Sequence, residues 1–145
     1  MINIDSIADR AVKLFNSGWN CSESVFLAVS ENIVQKDNFN VNLLTALGGG
    51  IGHSGLTCGA LTGAVVVIGI KYGRKEIDAQ AKQKAYIISK NIVTKFRGRF
   101  QTVNCSELLK KVKDKDHKKR LCSEYVRQAA KLAASAILAA KDSDV

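Results

Sequence analysis

One stretch, residues 48–73, constrains the fold of this chain more than any other. It opens with five glycines in eight positions, passes through Cys58, and ends in an almost uninterrupted apolar segment over residues 64–70. A segment that is apolar on all sides belongs in the interior of a protein. Glycines ahead of it allow positive φ and close approach of the backbone to a ligand or a helix. The stretch predicts a buried helix over residues 58–70 behind a glycine loop, with a short β-strand over residues 65–70 as the alternative.

The remainder of the first half reads as short amphipathic helices. Asp5 or Ser6 is a candidate N-cap for a first helix, which Ser17-Gly18 ends. The buried face predicted for this helix carries Ile7, Ala8, Ala11, Leu14 and Phe15. A second helix starts at Cys21, with Val25, Phe26, Val29 and Ile33 on its apolar side. A polar turn over residues 36–40 and a short helix over residues 41–47 follow.

The second half predicts a long helix, a short one and a final alanine-rich one. The long helix is expected over residues 76–95, with Gly98 at or just past its C-cap. Its inner stripe is Ile77, Ala81, Ala85, Ile88 and Ile92. The short helix covers residues 105–109, and the last one begins near Leu121. With no proline in the chain, the whole predicts an all-α bundle, a single domain over residues 1–145, around the central helix.

The four cysteines are Cys21, Cys58, Cys105 and Cys122, and three of them open the same tripeptide, Cys-Ser-Glu. Asn20 and Asn104 precede two of these tripeptides, and asparagine is a favoured N-cap. We therefore expect all four cysteines at or near helix N-termini. The N–H groups and dipole there lower the pKa of a thiol and favour thiolate chemistry over inert packing.

Several uses of such thiolates remain open on the spacing alone. Intervals of 37, 47 and 17 positions contain no Cys-x-x-Cys knuckle, so zinc-ribbon, thioredoxin and bacterial-ferredoxin signatures are missing. Four converging thiolates can hold an iron–sulfur cluster, and two pairs can instead cycle between dithiol and disulfide. Structural zinc and unrelated buried cysteines are weaker alternatives.

The order of one N-terminal cysteine, a Gly-x-x-Cys-Gly-Ala-x-x-Gly motif and two further cysteines resembles the C_GCAxxG_C_C family of redox-active proteins. The motif residues are Gly55, Cys58, Gly59, Ala60 and Gly63, with Cys21, Cys105 and Cys122 as the other cysteines. A related domain occurs in split-Soret cytochromes, where an iron–sulfur centre has been proposed. The resemblance implies a redox protein whose four cysteines are cluster ligands or redox-active thiols. Gly55, Gly59 and Gly63 would then let the backbone approach a cofactor.

The net charge of +9 is uneven, since residues 1–70 carry 3 basic and 5 acidic side chains and the rest carry the remaining 19 and 8. A basic second half without a nucleic-acid motif favours an acidic redox protein as partner over nucleic acid. The longest apolar run is too short to cross a bilayer, and the N-terminus lacks a secretory pattern, so we expect a cytoplasmic protein. The alanine-rich last helix makes self-association plausible.

Three further side chains have two interpretations each. His53 is a proton donor or base for a thiol, or, with more weight, a loop residue facing solvent. His117 lies in the charged run and reads as a surface residue. Trp19 could shield a site from water or anchor the core.

Overall fold

The computed structural model describes residues 2–33 and 41–143. Eight helices form within them: α1 (Ile4–Asn16), α2 (Cys21–Ile33), α3 (Asn42–Thr45), α4 (Gly48–Ile51), α5 (Gly59–Tyr72), α6 (Ala79–Phe100), α7 (Cys105–Leu108) and α8 (Lys115–Ser143). The only β-type pairing in the described ranges is an isolated antiparallel bridge between Thr57 and Asn104. The all-α prediction is confirmed. The predicted turn over residues 36–40 lies outside the described residues.

Helix α5 is the centre of the bundle, as its apolar sequence predicts. It packs against α2, α6 and α8, and the side chains of Ala60, Leu61, Ala64, Val67 and Ile68 are at most 1 % exposed. The alternative of a short strand over residues 65–70 is wrong, because this segment lies inside α5.

Helix α1 lies against α2 and α8 through the predicted face, in which Ile7, Ala8, Ala11 and Leu14 are buried. Its N-cap is Asn3, whose side chain accepts a hydrogen bond from the N–H of Ser6. The prediction of Asp5 or Ser6 as N-cap was therefore wrong by two or three positions. Helix α1 ends at Asn16, with Ser17 as C-cap.

Helix α6 starts and ends later than predicted. Asp78 caps it by accepting hydrogen bonds from the N–H groups of Gln80 and Ala81, which leaves Ile77 outside the helix and 96 % exposed. Gly98 lies inside the helix and is not its C-cap; Gln101, with φ of 66°, has that position. The extra turn forms because Phe100 packs edge-on against Phe96 and Tyr125, with ring centres 4.8 Å apart in both pairs.

Helix α8 forms one wall of the core and contacts α1, α2, α5 and α6. Its buried face matches the prediction and carries Val126, Ala129, Ala130, Ala133 and Ile137. Ion pairs at its outer edge join Arg127 to Asp9, at 2.7 Å, and Lys131 to Asp5, at 3.2 Å. None of the helices in the described ranges combines the length and the apolar character that crossing a bilayer requires.

Candidate functional site

The start of α2 places Cys21 through a reciprocal cap. The Asn20 side-chain oxygen accepts a hydrogen bond from the N–H of Glu23, and the Glu23 carboxylate accepts one from the N–H of Asn20, both at 2.9 Å. This arrangement is a capping box in which each side chain satisfies a backbone donor of the first turn. The predicted position of Cys21 at a helix N-terminus is confirmed.

Three hydrogen bonds join the same four residues, 20–23, to α3. Ser22 donates to the carbonyl oxygen of Leu44 at 2.6 Å, and Thr45 donates its hydroxyl to the Glu23 carboxylate at 2.7 Å. Asn20 also donates its side-chain amide to the carbonyl oxygen of Thr45 at 3.0 Å. Glu23 is only 8 % exposed. Its partners compensate the cost of burying a carboxylate.

Helix α5 brings the second cysteine to the first. Cys58 is the N-cap of α5 and is 6 % exposed. A Cβ atom added to Gly59 would collide with the sulfur of Cys21, and one added to Gly63 would lie 2.5 Å from the carbonyl oxygen of Ser22. Both motif glycines thus permit the α5 backbone to lie directly on the first turn of α2.

The third cysteine is joined to the second through the backbone. Around the Thr57–Asn104 bridge, the N–H of Cys58 donates to Val103 at 2.8 Å and the N–H of Cys105 donates to Leu56 at 2.5 Å. Asn104 caps α7 by accepting from the N–H of Glu107 at 3.2 Å, so Cys105 is the first residue of a helix as predicted.

The glycine loop covers Cys105. Residues 49–53 all have positive φ, between 57° and 69°, including the non-glycine residues Ile51 and His53. A Cβ atom on Gly50 would lie 2.7 Å from the Cβ of Cys105. Gly55, also at positive φ, lies against Ser106 in α7. The loop therefore contacts a residue that carries one of the four sulfurs.

For Cys122 the prediction of a position at a helix N-terminus is wrong. Helix α8 begins at Lys115, with the Asp114 carboxylate accepting a hydrogen bond from the N–H of His117 at 2.8 Å. Cys122 therefore lies two turns inside the helix, half-buried, and not at an N-terminus. Asp114 supplied a cap signal earlier in the charged run than the Cys-Ser-Glu tripeptide.

Three of the thiols, those of Cys58, Cys105 and Cys122, have raised pKa values and not the lowered ones that helix starts suggested. Burial, then the charge of Cys21, raises the pKa of Cys58 to about 12, although the N–H groups of Ala60 and Leu61 act in the opposite direction. The Cys58 side chain makes no capping hydrogen bond that could strengthen this opposing effect. Burial followed by the charge of Cys21 likewise raises the pKa of Cys122 to about 11 and raises that of Cys105.

This coupling shows which cysteines are brought together. The charge of Cys21 acts on all three other thiols, and Cys105 acts on Cys58 and Cys122. Like charges at short range disfavour the ionised form. The four predicted cysteines therefore share one electrostatic neighbourhood, in which Cys21 acts on each of the other three. Among the residues that the structure describes, no set of three histidine, cysteine, aspartate or glutamate side chains is spaced to hold a single metal ion.

Two side chains of this neighbourhood were missed by sequence reasoning. Lys118 lowers the pKa of Cys105 and Cys122, and Tyr125 has its own pKa raised by burial and by the charges of Cys122, Cys58 and Cys105. The Tyr125 hydroxyl donates to the carbonyl oxygen of Leu108 at 3.0 Å. Both residues were detectable, because they lie four positions before and three positions after Cys122, on the same face of a helix.

The other candidates lie at the surface. His53 is exposed, in agreement with the solvent-facing interpretation, whereas His117 is half-buried and its Nδ1 accepts a hydrogen bond from the N–H of Lys113 at 3.1 Å. Trp19 is 39 % exposed and is not a core anchor.

Comparison with known proteins gives one match. The family model described as "Putative redox-active protein (C_GCAxxG_C_C)" matches residues 19–136, a range that contains all four cysteines. No curated protein and no solved structure matches the chain.

Proposed function

The chain belongs to the C_GCAxxG_C_C family of redox-active proteins, and from this premise we propose that it transfers electrons or senses redox state through an iron–sulfur cluster. Its ligands would be Cys21, Cys58, Cys105 and Cys122. When bound, such a cluster supplies reversible one-electron chemistry.

The observation that carries this proposal is the gathering of four sulfur donors from four helices or helix ends. The charge of Cys21 raises the pKa of the three other thiols, and the charge of Cys105 raises the pKa of Cys58 and of Cys122. Ionising all of them together is unfavourable without a cation and becomes favourable around one, because a coordinated thiol loses its proton outright. Soft thiolates are the ligands of iron–sulfur clusters. The donor set and the glycines that lie directly against Cys21 and Cys105 fit this group.

The surroundings of the sulfurs support a redox role. The N–H groups of Ala60 and Leu61 favour the Cys58 thiolate, and Lys118 favours those of Cys105 and Cys122. Hydrogen bonds and positive charge near cluster sulfurs shift a reduction potential upwards, because they stabilise the more negative reduced state. The burial of Cys58 keeps water from at least one ligand.

The alternative is a metal-free thiol–disulfide oxidoreductase or thiol sensor. The bridge between Thr57 and Asn104 favours it in one respect, because it puts Cys58 and Cys105 on paired segments. However, they occupy diagonal positions, where Cα atoms are typically about 7–8 Å apart, and disulfides usually span about 4.4–6.8 Å. A Cys58–Cys105 disulfide would therefore need the backbone to move, so we prefer the cluster.

Anaerobic purification, with iron and acid-labile sulfide assays and a visible spectrum, tests the proposal. We expect a coloured protein with stoichiometric iron and sulfide. Changing any one cysteine to serine should lower the iron content strongly, whereas Ser54→Ala in the exposed part of the glycine loop should not. Reconstitution of the apoprotein should release protons, because thiols with raised pKa values must ionise to bind iron.

A colourless, iron-free protein whose thiols titrate in two-electron steps would favour the metal-free alternative, in particular if two of the four cysteine substitutions were silent. Stoichiometric zinc without sulfide would indicate a structural metal instead.

A further inference from the structure

A groove runs between α6 and α8, away from the cysteines. Its volume is about 720 Å³. The apolar lining includes Ile87, Ile88, Leu132, Ala136, Ala139 and Ala140. Ile87 is 61 % exposed, so this surface is apolar and open at the same time.

The dimensions of the groove suit a helix. On α6 its lining extends from Ala79 to Lys95, about 24 Å at 1.5 Å per residue, and on α8 from Leu132 to Ala140, about 12 Å. A partner helix of three to four turns, about 16–22 Å long, would lie along most of the α6 side and all of the α8 side. Amphipathic helices bind such grooves through apolar side chains at every third or fourth position.

Helix α6 is basic along its whole length. It carries six basic side chains and no aspartate or glutamate. Two of the six, Lys84 and Lys95, line the groove, and among the side chains that the structure describes no carboxylate lines it. The ammonium group of Lys84 also lies 4.9 Å from the centre of the Tyr72 ring. A partner must therefore combine an apolar face with negative charge.

We propose that this groove binds an acidic amphipathic helix of a partner protein. The apolar face of the partner helix would pack on Ile87, Leu132 and Ala136, and its carboxylates would meet Lys95 and the other basic side chains along α6. This proposal goes beyond the proposed function and does not depend on it, because no cysteine lines the groove.

Two other occupants fit the surface less well. A second copy related by a two-fold axis would present the same groove, and its lysines would face those of α6. A second copy could offer acidic side chains from its α1, but Asp9 and Asp5 already pair with Arg127 and Lys131 of the same chain. Nucleic acid is a poor match because the floor is aliphatic, whereas phosphate contacts use polar and basic groups.

Fluorescence polarisation of the full chain with a labelled designed peptide tests the proposal. The peptide is a helix with leucine at the i, i+3, i+4 and i+7 positions and glutamate on its other face; a second peptide carries lysine in place of glutamate. We expect the acidic peptide to bind and the basic one not to. Raising the salt concentration should weaken binding. The substitution Ile87→Glu should weaken it on the order of tenfold, because it adds a like charge to the apolar contact.

Ile77→Glu is the matched control, since Ile77 is 96 % exposed and lies outside the groove. It should leave affinity unchanged, and the serine variant of Cys21 should also bind normally.

Equal binding of both peptides, no binding at millimolar concentration, or an unchanged affinity in Ile87→Glu would overturn the proposal. Sedimentation of the protein alone gives the other outcomes. A dimer that Ile87→Glu dissociates would assign the groove to a second copy. If neither peptide binds but dodecanoate does, and Ile87→Glu abolishes that binding, the groove belongs to a small anionic amphiphile.

Discussion

Residues 21–23 and residues 122–124 have the same sequence, Cys-Ser-Glu, and opposite surroundings. The first begins a helix, its glutamate is 8 % exposed, and its serine and glutamate bind α3. The second lies two turns inside α8, and its glutamate, 43 % exposed in its side chain, pairs at the surface with Arg99. What differs is the residue before the tripeptide, Asn20 in one case and Leu121 in the other. The cap, and not the cysteine motif, decides where a helix begins.

The largest effect is expected for a substitution that separates α5 from the first tripeptide, residues 21–23. In Gly63→Ala the new Cβ would lie 2.5 Å from the Ser22 carbonyl oxygen and 3.0 Å from its Cα, both backbone atoms that cannot swing aside. We expect a loss of roughly 2–3 kcal/mol in the free energy of unfolding, measured with urea.

Gly69→Ala in the same helix is the control for this change. Nothing lies within 4 Å of a Cβ at Gly69, so alanine should stabilise the protein by about 0.5–1 kcal/mol. Equal effects of the two substitutions would contradict the close contact between α5 and α2.

The second largest effect is expected for the loss of the Asn20 N-cap of α2. Asn20→Ala removes the hydrogen bond from the Glu23 N–H and the one to Thr45, and we expect a cost of about 2 kcal/mol. Asn104→Ala, at the exposed start of α7, should cost about 1 kcal/mol because its longer bond to Glu107 lies in water. Denaturant titration of both variants measures the difference; a larger loss at Asn104 would reverse the ranking.

Glu23 and Glu124, the glutamates of the two tripeptides, should also differ in their contribution to stability. Glu23→Gln keeps the shape but replaces one acceptor oxygen by a donor, opposite either the Asn20 N–H or the Thr45 hydroxyl. We expect a loss of about 1–2 kcal/mol in unfolding free energy. Glu124→Gln removes only an exposed ion pair and should change stability by less than about 0.5 kcal/mol. If both cost the same, the buried network at residue 23 is weaker than its geometry implies.

The smallest predicted effect is chemical. Cys21→Ser removes a charge that raises the pKa of Cys105, so alkylation of Cys105 by iodoacetamide at pH 9 should become faster in the apoprotein. Cys122→Ser should leave that rate unchanged, because Cys122 does not contribute to the shift. Peptide mass spectrometry follows each thiol separately. An equal acceleration in both variants would show that Cys122, and not only Cys21, affects the ionisation of Cys105.

The sequence predicted the parts of the fold that depend on local chemistry. The asparagines before Cys21 and Cys105 cap helices as expected, and the apolar run over residues 64–70 is buried in α5. These signals lie within a few residues of the feature that they determine, which is why a single chain reveals them.

Other features depend on distant contacts and could not be read locally. Helix α6 continues past Gly98 because Phe100 reaches Tyr125, 25 positions later, and tertiary packing outweighs the weak helix propensity of glycine. The thiol pKa values rise because burial and neighbouring thiolates act together, whereas the sequence indicated only the helix ends. That Cys21, Cys58 and Cys105 would lie close together was a hypothesis until the bridge and the glycine contacts were visible.

The run of positive φ over residues 49–53 has a consequence for the order of folding. A left-handed turn of L-residues costs about 1–2 kcal/mol per non-glycine residue, and here it includes the β-branched Ile51. Local backbone hydrogen bonds, such as the one from the N–H of Gly52 to the carbonyl oxygen of Ala46 at 2.8 Å, work against this cost, and we expect the turn to close after Leu56 and Cys105 have paired beneath it. The covering of Cys105 would then be the last event in maturation, which leaves the sulfurs open to an incoming cofactor until the rest of the bundle is assembled.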